Sequence, residues 1–361
     1  MLYHLLYPLH ELFSPLNVFR YITFRAAYAT VTALLLCFIF GPPLVRRLRE
    51  FKIKQIIRQE GPSTHRTKEG TPTMGGILIV AAIVVPTLLW ASLVNRYVLL
   101  AVGVTLVLGG LGFLDDYLHV VRRAPKGLLG RYKLVAQVGV GLVVGAILYF
   151  YPVDSQMVGS TSVPFLKSHV LSLGMFYIPF VALVITATSN AVNLTDGLDG
   201  LAAGLMALAA AAYAGLSYVS GNVKIAGYLN IPYFAGSGEL TIFCTAMFGA
   251  ALGFLWFNSH PADVFMGDTG SLALGGALGT VAVMLRKELL LFLIGGIFVA
   301  EALSVIIQVS SYKLRRKRVF RMAPIHHHFE LKGWPESRVV VRFWIMGVLL
   351  ALLSLSTLKL Q

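Results

Sequence analysis

Charge is what this sequence has least of. Only 13% of its 361 residues are Asp, Glu, Lys or Arg, about half of the roughly 25% carried by a soluble domain. Hydrophobic residues make up 57% and mean hydropathy is +0.76, which together define an integral membrane protein. Long polar stretches are also missing, so no sizeable soluble domain fits, and residues 1–361 are expected to form one membrane domain. Cysteine is nearly absent. Cys37 falls late in the first apolar run and Cys244 early in the seventh, at opposite depths, which excludes a disulfide between them. The start from Met1 to Ser14 lacks the basic residues of a cleaved signal peptide and is interrupted by Pro8, His10 and Glu11, so it reads as an interfacial segment. No Gly-Lys-Ser/Thr ending appears, which removes support for ATP hydrolysis.

What is present is a series of apolar runs near the roughly 20 residues that cross a bilayer as helix. Ten are expected, at about 21–44, 74–94, 97–114, 134–152, 170–188, 200–219, 239–257, 268–285, 289–309 and 339–358. The fold class is therefore all-α and polytopic. The connections alternate in charge: residues 45–72 carry eight Lys/Arg, 115–133 five and 310–338 eight, against one or two elsewhere. Heavily basic loops stay cytoplasmic, so both termini are expected on the periplasmic side and five loops in the cytoplasm, including 189–199 and 258–267. The net charge of +14 is thus mainly a topology signal, with basic side chains anchored against membrane lipid headgroups. Because these runs flank membrane spans, no nucleic-acid partner is expected.

Every dense polar cluster outside the basic anchors lies at an expected cytoplasmic end. A transporter would concentrate such groups near the bilayer midplane, so an enzyme is the better reading. Asp115 and Asp116 end the third run; helix neighbours point about 100° apart, so one faces the site as base or cation partner while the other orients a Lys or Arg. The stretch Asn190 to Gly204 holds Asn190, Asn193, Thr195, Asp196 and Asp199; Thr195 or Asp196 suits a cap on the helix through Leu201 to Ala212, with Asp196 and Asp199 on one face. Asn258 opens a loop containing Phe265, placed to stack on a base, and ending in Asp268, Thr269 and Ser271 at a helix N-terminus. Such an end favours anions, and Asp268 is a hard oxygen ligand suited to Mg²⁺ or Mn²⁺, over Zn²⁺, bridging to phosphate. An Asp N-cap is the structural alternative. His326, His327 and His328 stand in a row; extended, the first and third share a side, and they suit contact with phosphate or sugar better than zinc. Lys68 and Thr73 offer a charge and a hydroxyl to a diphosphate. Glu301, inside the ninth run, is expected away from this surface and paired with another helix.

Taken together, Gly-Thr-Pro-Thr-Met-Gly-Gly at 70–76, Phe-Leu-Asp-Asp-Tyr at 113–117, Asn-Leu-Thr-Asp-Gly-Leu-Asp-Gly-Leu at 193–201, Phe-Met-Gly-Asp-Thr-Gly-Ser at 265–271 and the His block carry a resemblance over nearly the whole chain. The sequence resembles the bacterial phospho-N-acetylmuramoyl-pentapeptide transferases, within the polyprenyl-phosphate N-acetylhexosamine-1-phosphate transferase superfamily. The resemblance implies Mg²⁺-dependent transfer of phospho-MurNAc-pentapeptide from its UDP carrier to undecaprenyl phosphate, giving lipid I and UMP. It also implies ten helices, a cytoplasmic active site at the inner membrane and a homodimer. Residue by residue, Asp115, Asp116 and Asp268 match the family's catalytic acids, with Asp268 as the Mg²⁺ ligand. Asn190, Asn193, Asp196, Asp199 and Asn258 match polar lining; Lys68, Thr73 and Phe265 match the nucleotide-sugar pocket. His326, His327 and His328 match the block that sets the muramyl branch apart, and Lys133 and Gln308 are further candidates. A relative transferring GlcNAc-1-phosphate and a polyprenyl-lipid transporter are the competing expectations.

Overall fold

The computed structural model describes residues 1–51, 70–122, 127–153, 157–166 and 169–360. Helix α1 (Leu2–Leu6) and two 3₁₀ turns lead into α2 (Ile22–Glu50), α3 (Gly76–Trp90), α4 (Arg96–Asp116) and α5 (Gly130–Phe150). A small antiparallel hairpin, β1 (Ser160–Ser162) with β2 (Val170–Ser172), pairs Thr161 with Leu171. Then come α6 (Tyr177–Thr195), α7 (Leu201–Ser220), α8 (Val223–Leu229), α9 (Glu239–Asn258) and α10 (Gly267–Met284). The chain ends with α11 (Leu291–Ile294), α12 (Gly296–Arg315), α13 (Ile325–Glu330) and α14 (Glu336–Leu360).

Each of the ten expected runs has its helix. Eight are long and apolar enough to cross a membrane; the other two are α3, at 15 residues, and α10. This is an all-α multi-pass membrane protein. Helix α10 falls short in apolarity for a physical reason: it is the inner post of the bundle, packed on α4 and α6, with every residue from Thr269 to Met284 buried. A helix that meets protein on all sides gains more from small residues that admit close neighbours than from bulky lipid-facing ones. Two approaches matter for the site. A Cβ on Gly112 of α4 would sit 2.2 Å from the Asp268 carbonyl oxygen, and one on Gly76 of α3 would sit 2.1 Å from the Gly270 nitrogen. The start of α10 is therefore gripped by backbone on both sides.

Three expectations about boundaries are corrected. The fifth run was placed at 170–188, but α6 runs from Tyr177 to Thr195, so Asn190 and Asn193 lie on its last turns rather than in a loop. The ninth run divides at Gly295 into α11 and α12. Neither Thr195 nor Asp196 caps α7; its N-cap is Gly200 at φ +79°, and the Thr195 hydroxyl donates instead to the Ala191 carbonyl at 2.8 Å. Cys37 and Cys244 are both buried and free.

The ends of α4, α6 and α9 and the starts of α10 and α14 gather at one end of the bundle. The opposite end is fastened by buried polar pairs. Arg25 makes two bonds to the Glu239 carboxylate, at 2.6 and 2.9 Å, and Glu288 accepts from the Tyr177 and Thr161 hydroxyls, each at 2.5 Å.

Candidate active site

Helix α10 begins with backbone N–H groups that have no partner within the helix, as every helix does. They find one in Asp116, the last residue of α4. Its Oδ1 accepts from the Asp268 amide at 3.1 Å, and its Oδ2 accepts from the Thr269 amide at 2.9 Å and the Thr269 hydroxyl at 2.6 Å. A buried carboxylate at the positive end of a helix is well placed electrostatically. The cap thus comes from another helix, not from Asp268, whose side chain is left to face the site. The segment before α3 joins the same junction: Phe265 donates its amide to Pro72 at 2.8 Å and accepts from Gly75 at 2.9 Å. This brings buried Thr73 beside Gly267, where a Cβ would lie 3.1 Å from the Thr73 hydroxyl and 2.7 Å from Asp116 Oδ2. Phe265 itself is half-buried.

The Asp268 carboxylate has two neighbours. Asn193 donates to its Oδ1 at 2.9 Å and to the Ser271 hydroxyl at 2.9 Å, while the Lys133 ammonium meets its Oδ2 at 2.5 Å. The same ammonium lies 2.7 Å from Asp115 Oδ2, and Asp115 Oδ1 accepts from the Leu128 amide at 2.6 Å. The adjacent aspartates therefore divide their tasks: Asp115 holds a lysine and Asp116 holds a helix. Oxygens of Asp115, Asp116 and Asp268 all fall within 4.8 Å of one another. Asn190 does not join them; it donates to Gln137 at 2.8 Å and to Thr186 at 2.8 Å, tying α6 to α5.

The turn Asp196–Gly200 bridges two polar clusters. Burial pushes the Asp196 carboxyl up to about 7, helped by the negative charges of Asp268, Asp116 and Asp199 and opposed by the Gly267 amide that it accepts from. Asp199, expected on the same face, turns the other way because the turn is not helical here. Its Oδ2 meets His260 Nδ1 at 3.0 Å and the Ala262 amide at 3.2 Å, and its own amide donates to Glu336 at 2.7 Å. Asn258 holds the end of the turn, accepting from Gly200 at 3.0 Å and donating to Val264 at 2.9 Å.

The three histidines lie on the short helix α13, not on an extended strand, so His326 and His328 do not share a side. His326 is fully buried, with its ring against Gly197. His327 meets Glu330 at 2.7 Å, and His328 accepts from the Arg321 amide at 3.1 Å. Desolvation, and then the nearby cations Lys332 and Arg321, hold the His328 imidazole below its usual range. Gln308 serves the turn after α12, accepting from Val319 and Phe320 and donating to Phe320, each at 2.9 to 3.0 Å. Lys68 lies outside the described residues.

Comparison with known proteins gives the chain its family. The family model for glycosyl transferase family 4 matches residues 98–286, and a phospho-N-acetylmuramoyl-pentapeptide-transferase signature matches residues 68–80. The phospho-N-acetylmuramoyl-pentapeptide-transferases of Citrifermentans bemidjiense and of Geobacter sp. strain M21 are each 56% identical to this chain over the full length of both partners. That of Thermodesulfovibrio yellowstonii is 55% identical, again over both full lengths. The chain belongs to the phospho-N-acetylmuramoyl-pentapeptide-transferase family. As a member of that family it is a phosphoglycosyl transferase embedded in a membrane by many helices.

Within a family transferase, the hard-oxygen set of Asp115 and Asp268 suits a divalent cation such as Mg²⁺, and the spot between them already accommodates one positive charge, that of Lys133. Asp116 offers less, since both its oxygens accept from the start of α10. Sequence reasoning missed His260 and Glu336, which surround Asp199. A signal existed for Glu336: it is an acid in Trp334-Pro335-Glu336, immediately before the last apolar run. Glu301 pairs with another helix as expected, meeting His326 of α13 at 3.1 Å, but that contact joins it to the His block instead of leaving it apart.

Proposed function

We propose that this chain transfers phospho-MurNAc-pentapeptide from UDP-MurNAc-pentapeptide to undecaprenyl phosphate, yielding lipid I and UMP. It does so as a homodimer at the cytoplasmic face of the bacterial inner membrane, with both termini periplasmic and Mg²⁺ required. The observation that carries this reading is the single ammonium of Lys133 shared by Asp115 and Asp268 at the start of α10, in a chain whose full-length relatives bear the transferase name.

The chemistry demands that two anions meet. An oxygen of the lipid phosphate attacks the sugar-side phosphorus of the diphosphate. The bond from that phosphorus to the bridging oxygen breaks, and UMP departs with the electron pair. Lys133 and the amide end of α10 offset the repulsion and the charge that builds on the leaving phosphate. A phosphate monoester has its second pKa near about 6, so most of the acceptor is already a dianion at neutral pH. Asp115 takes the residual proton from the rest and otherwise keeps Lys133 in place. Asp268 and Asp115 would hold the Mg²⁺, which when bound polarises the phosphoryl oxygens and steadies the leaving group. Asp116 acts by fixing Asp268 and Thr269. Thr73, Asn193, Asp196, Asp199, Asn258 and Phe265 line the nucleotide-sugar side, Asn190 supports them through Gln137, and His326, His327 and His328 complete the muramyl end; Lys68 is assigned to the nucleotide sugar by the family resemblance alone.

The test is a transfer assay on the purified protein with undecaprenyl phosphate, Mg²⁺ and either UDP-MurNAc-pentapeptide or UDP-GlcNAc, run with and without a chelator. Lipid product and UMP are expected only from the first donor and only without chelator. Product from UDP-GlcNAc alone overturns the choice of substrate.

A further inference from the structure

We propose that Glu301, buried in membrane-spanning helix α12, is a positioning residue that acts on the nucleotide-sugar turn Asp196–Gly200 through His326. The proposal deepens the functional reading above and rests on it for the substrate.

Helix α12 is the most lipid-exposed of the long helices, presenting Leu303, Ile306, Ile307 and Val309 outward. Its buried face consists of Phe298, Glu301 and Ser304. An acid on that face is costly in a membrane helix unless it has a partner. Glu301 has one. Its Oε2 lies 3.1 Å from His326 Nδ1, within ion-pair distance though off hydrogen-bond alignment, and neither side chain has another polar partner among the described residues. Both are fully buried, at 0% exposure, so no solvent competes for the contact.

A carboxylate beside one imidazole nitrogen keeps the proton on that nitrogen and fixes the ring's orientation. Here the proton belongs on Nδ1, and the opposite edge, carrying Nε2, faces the turn. A Cβ on Gly197 would sit 2.4 Å from Nε2 and 2.8 Å from Cε1, so the ring reaches the turn only because residue 197 is glycine. Nε2 has no hydrogen-bond partner among the described residues, which leaves it as an acceptor packed against the turn. A lever results: α12 supplies the acid, α13 the imidazole, and the turn between α6 and α7 receives it. A packing contact alone would not require the acid to be charged or the imidazole to be one tautomer.

The experiment uses the full chain in detergent. For Glu301→Gln we expect KM for UDP-MurNAc-pentapeptide to rise about tenfold with kcat changed by less than about threefold, the size usual for removing a partner that orients a functional histidine. Glu301→Asp should recover most of the loss, and Glu301→Gln with His326→Gln should be no worse than His326→Gln alone. Multiplying effects in the double variant, or an unchanged KM in Glu301→Gln, overturn the proposal. If Glu301→Gln does not fold, the nitrogen-15 signature of His326 in the unaltered protein decides: a proton on Nδ1 supports the proposal, and one on Nε2 overturns it. Absence of turnover with this donor in the unaltered protein would sink the substrate reading, while the imidazole signature would still test the pair.

Discussion

Asp196 gives the most direct link between the site's electrostatics and a measurable stability. Its carboxyl is pushed up from 3.8 to about 7, by burial first and then by Asp268, Asp116 and Asp199. Between those values the folded chain keeps a proton that the unfolded chain has lost. Stability from this group is therefore complete below about pH 4, falls by about 1.4 kcal/mol for each unit of rising pH, and levels off above 7. The full span corresponds to about 4 kcal/mol, a ceiling, because part of the Asp196 surface touches solvent and solvent screens the charge. An expected loss of about 1–2 kcal/mol between pH 5 and pH 8 is thus reasonable, and it amounts to about 2 °C or more in unfolding temperature. Asp196→Asn removes the titration while keeping an oxygen for the Gly267 amide. The variant should equal or fall below the unaltered protein at pH 5 and exceed it at pH 8. Thermal unfolding of both proteins across that range in one detergent measures the difference. Parallel curves for the two proteins would refute the reasoning.

Three further outcomes are expected. Asp268→Asn should lower UMP release at least about a hundredfold with the fold intact, because Asn193 can still bond to residue 268; near-normal turnover would refute the assignment. Gly112→Val forces a side chain onto the Asp268 carbonyl, so it should cost about 1–3 kcal/mol in denaturant or thermal unfolding and reduce kcat by more than the loss of folded protein explains. Glu239→Gln strands the buried Arg25 at the far end and should cost about 3–5 kcal/mol, with activity per folded molecule unchanged, read by comparing melting curves with turnover.

Much of this architecture was legible in the chain. The ten apolar runs all became helical, the ninth as two segments, because the bilayer length rule and the cost of unpaired backbone leave a polytopic helical chain few options. The acids that meet at the start of α10 were legible too, as isolated polar residues between apolar runs. Their partners were not. Asp116 and Asp268 are 152 positions apart, and nothing in local spacing says that one caps the other's helix. The sequence pattern placed Asp196 and Asp199 on one helical face, but the glycines at 197 and 200 end helical geometry there and send the two carboxylates to different clusters. Glu301 was legible as a buried acid paired with another helix, but not its partner: a position along a span gives depth, whereas the contact with His326 depends on how α13 packs against α12.

Under the proposed reaction, the charge balance at the start of α10 accounts for so many acids gathered where two anions would bind. Among the described residues, Asp115, Asp116 and Asp268 bring three negative charges against the positive charge of Lys133. The helix end adds about half a positive charge, most of it directed at Asp116. The remainder is an excess of between one and two negative charges, close to what one divalent cation neutralises. Asp196 at about 7 is then the group that adjusts, since added positive charge beside it favours its ionised form at neutral pH. Under the proposed reaction the bare pocket would repel both phosphates, whereas a divalent cation held by Asp115 and Asp268 would offset that charge and leave Lys133 available to a phosphate oxygen. The same acids would thus make substrate binding conditional on metal. Chelation should accordingly weaken nucleotide-sugar binding itself and not the chemical step alone, and equilibrium binding of UDP-MurNAc-pentapeptide that is indifferent to chelator would contradict this account.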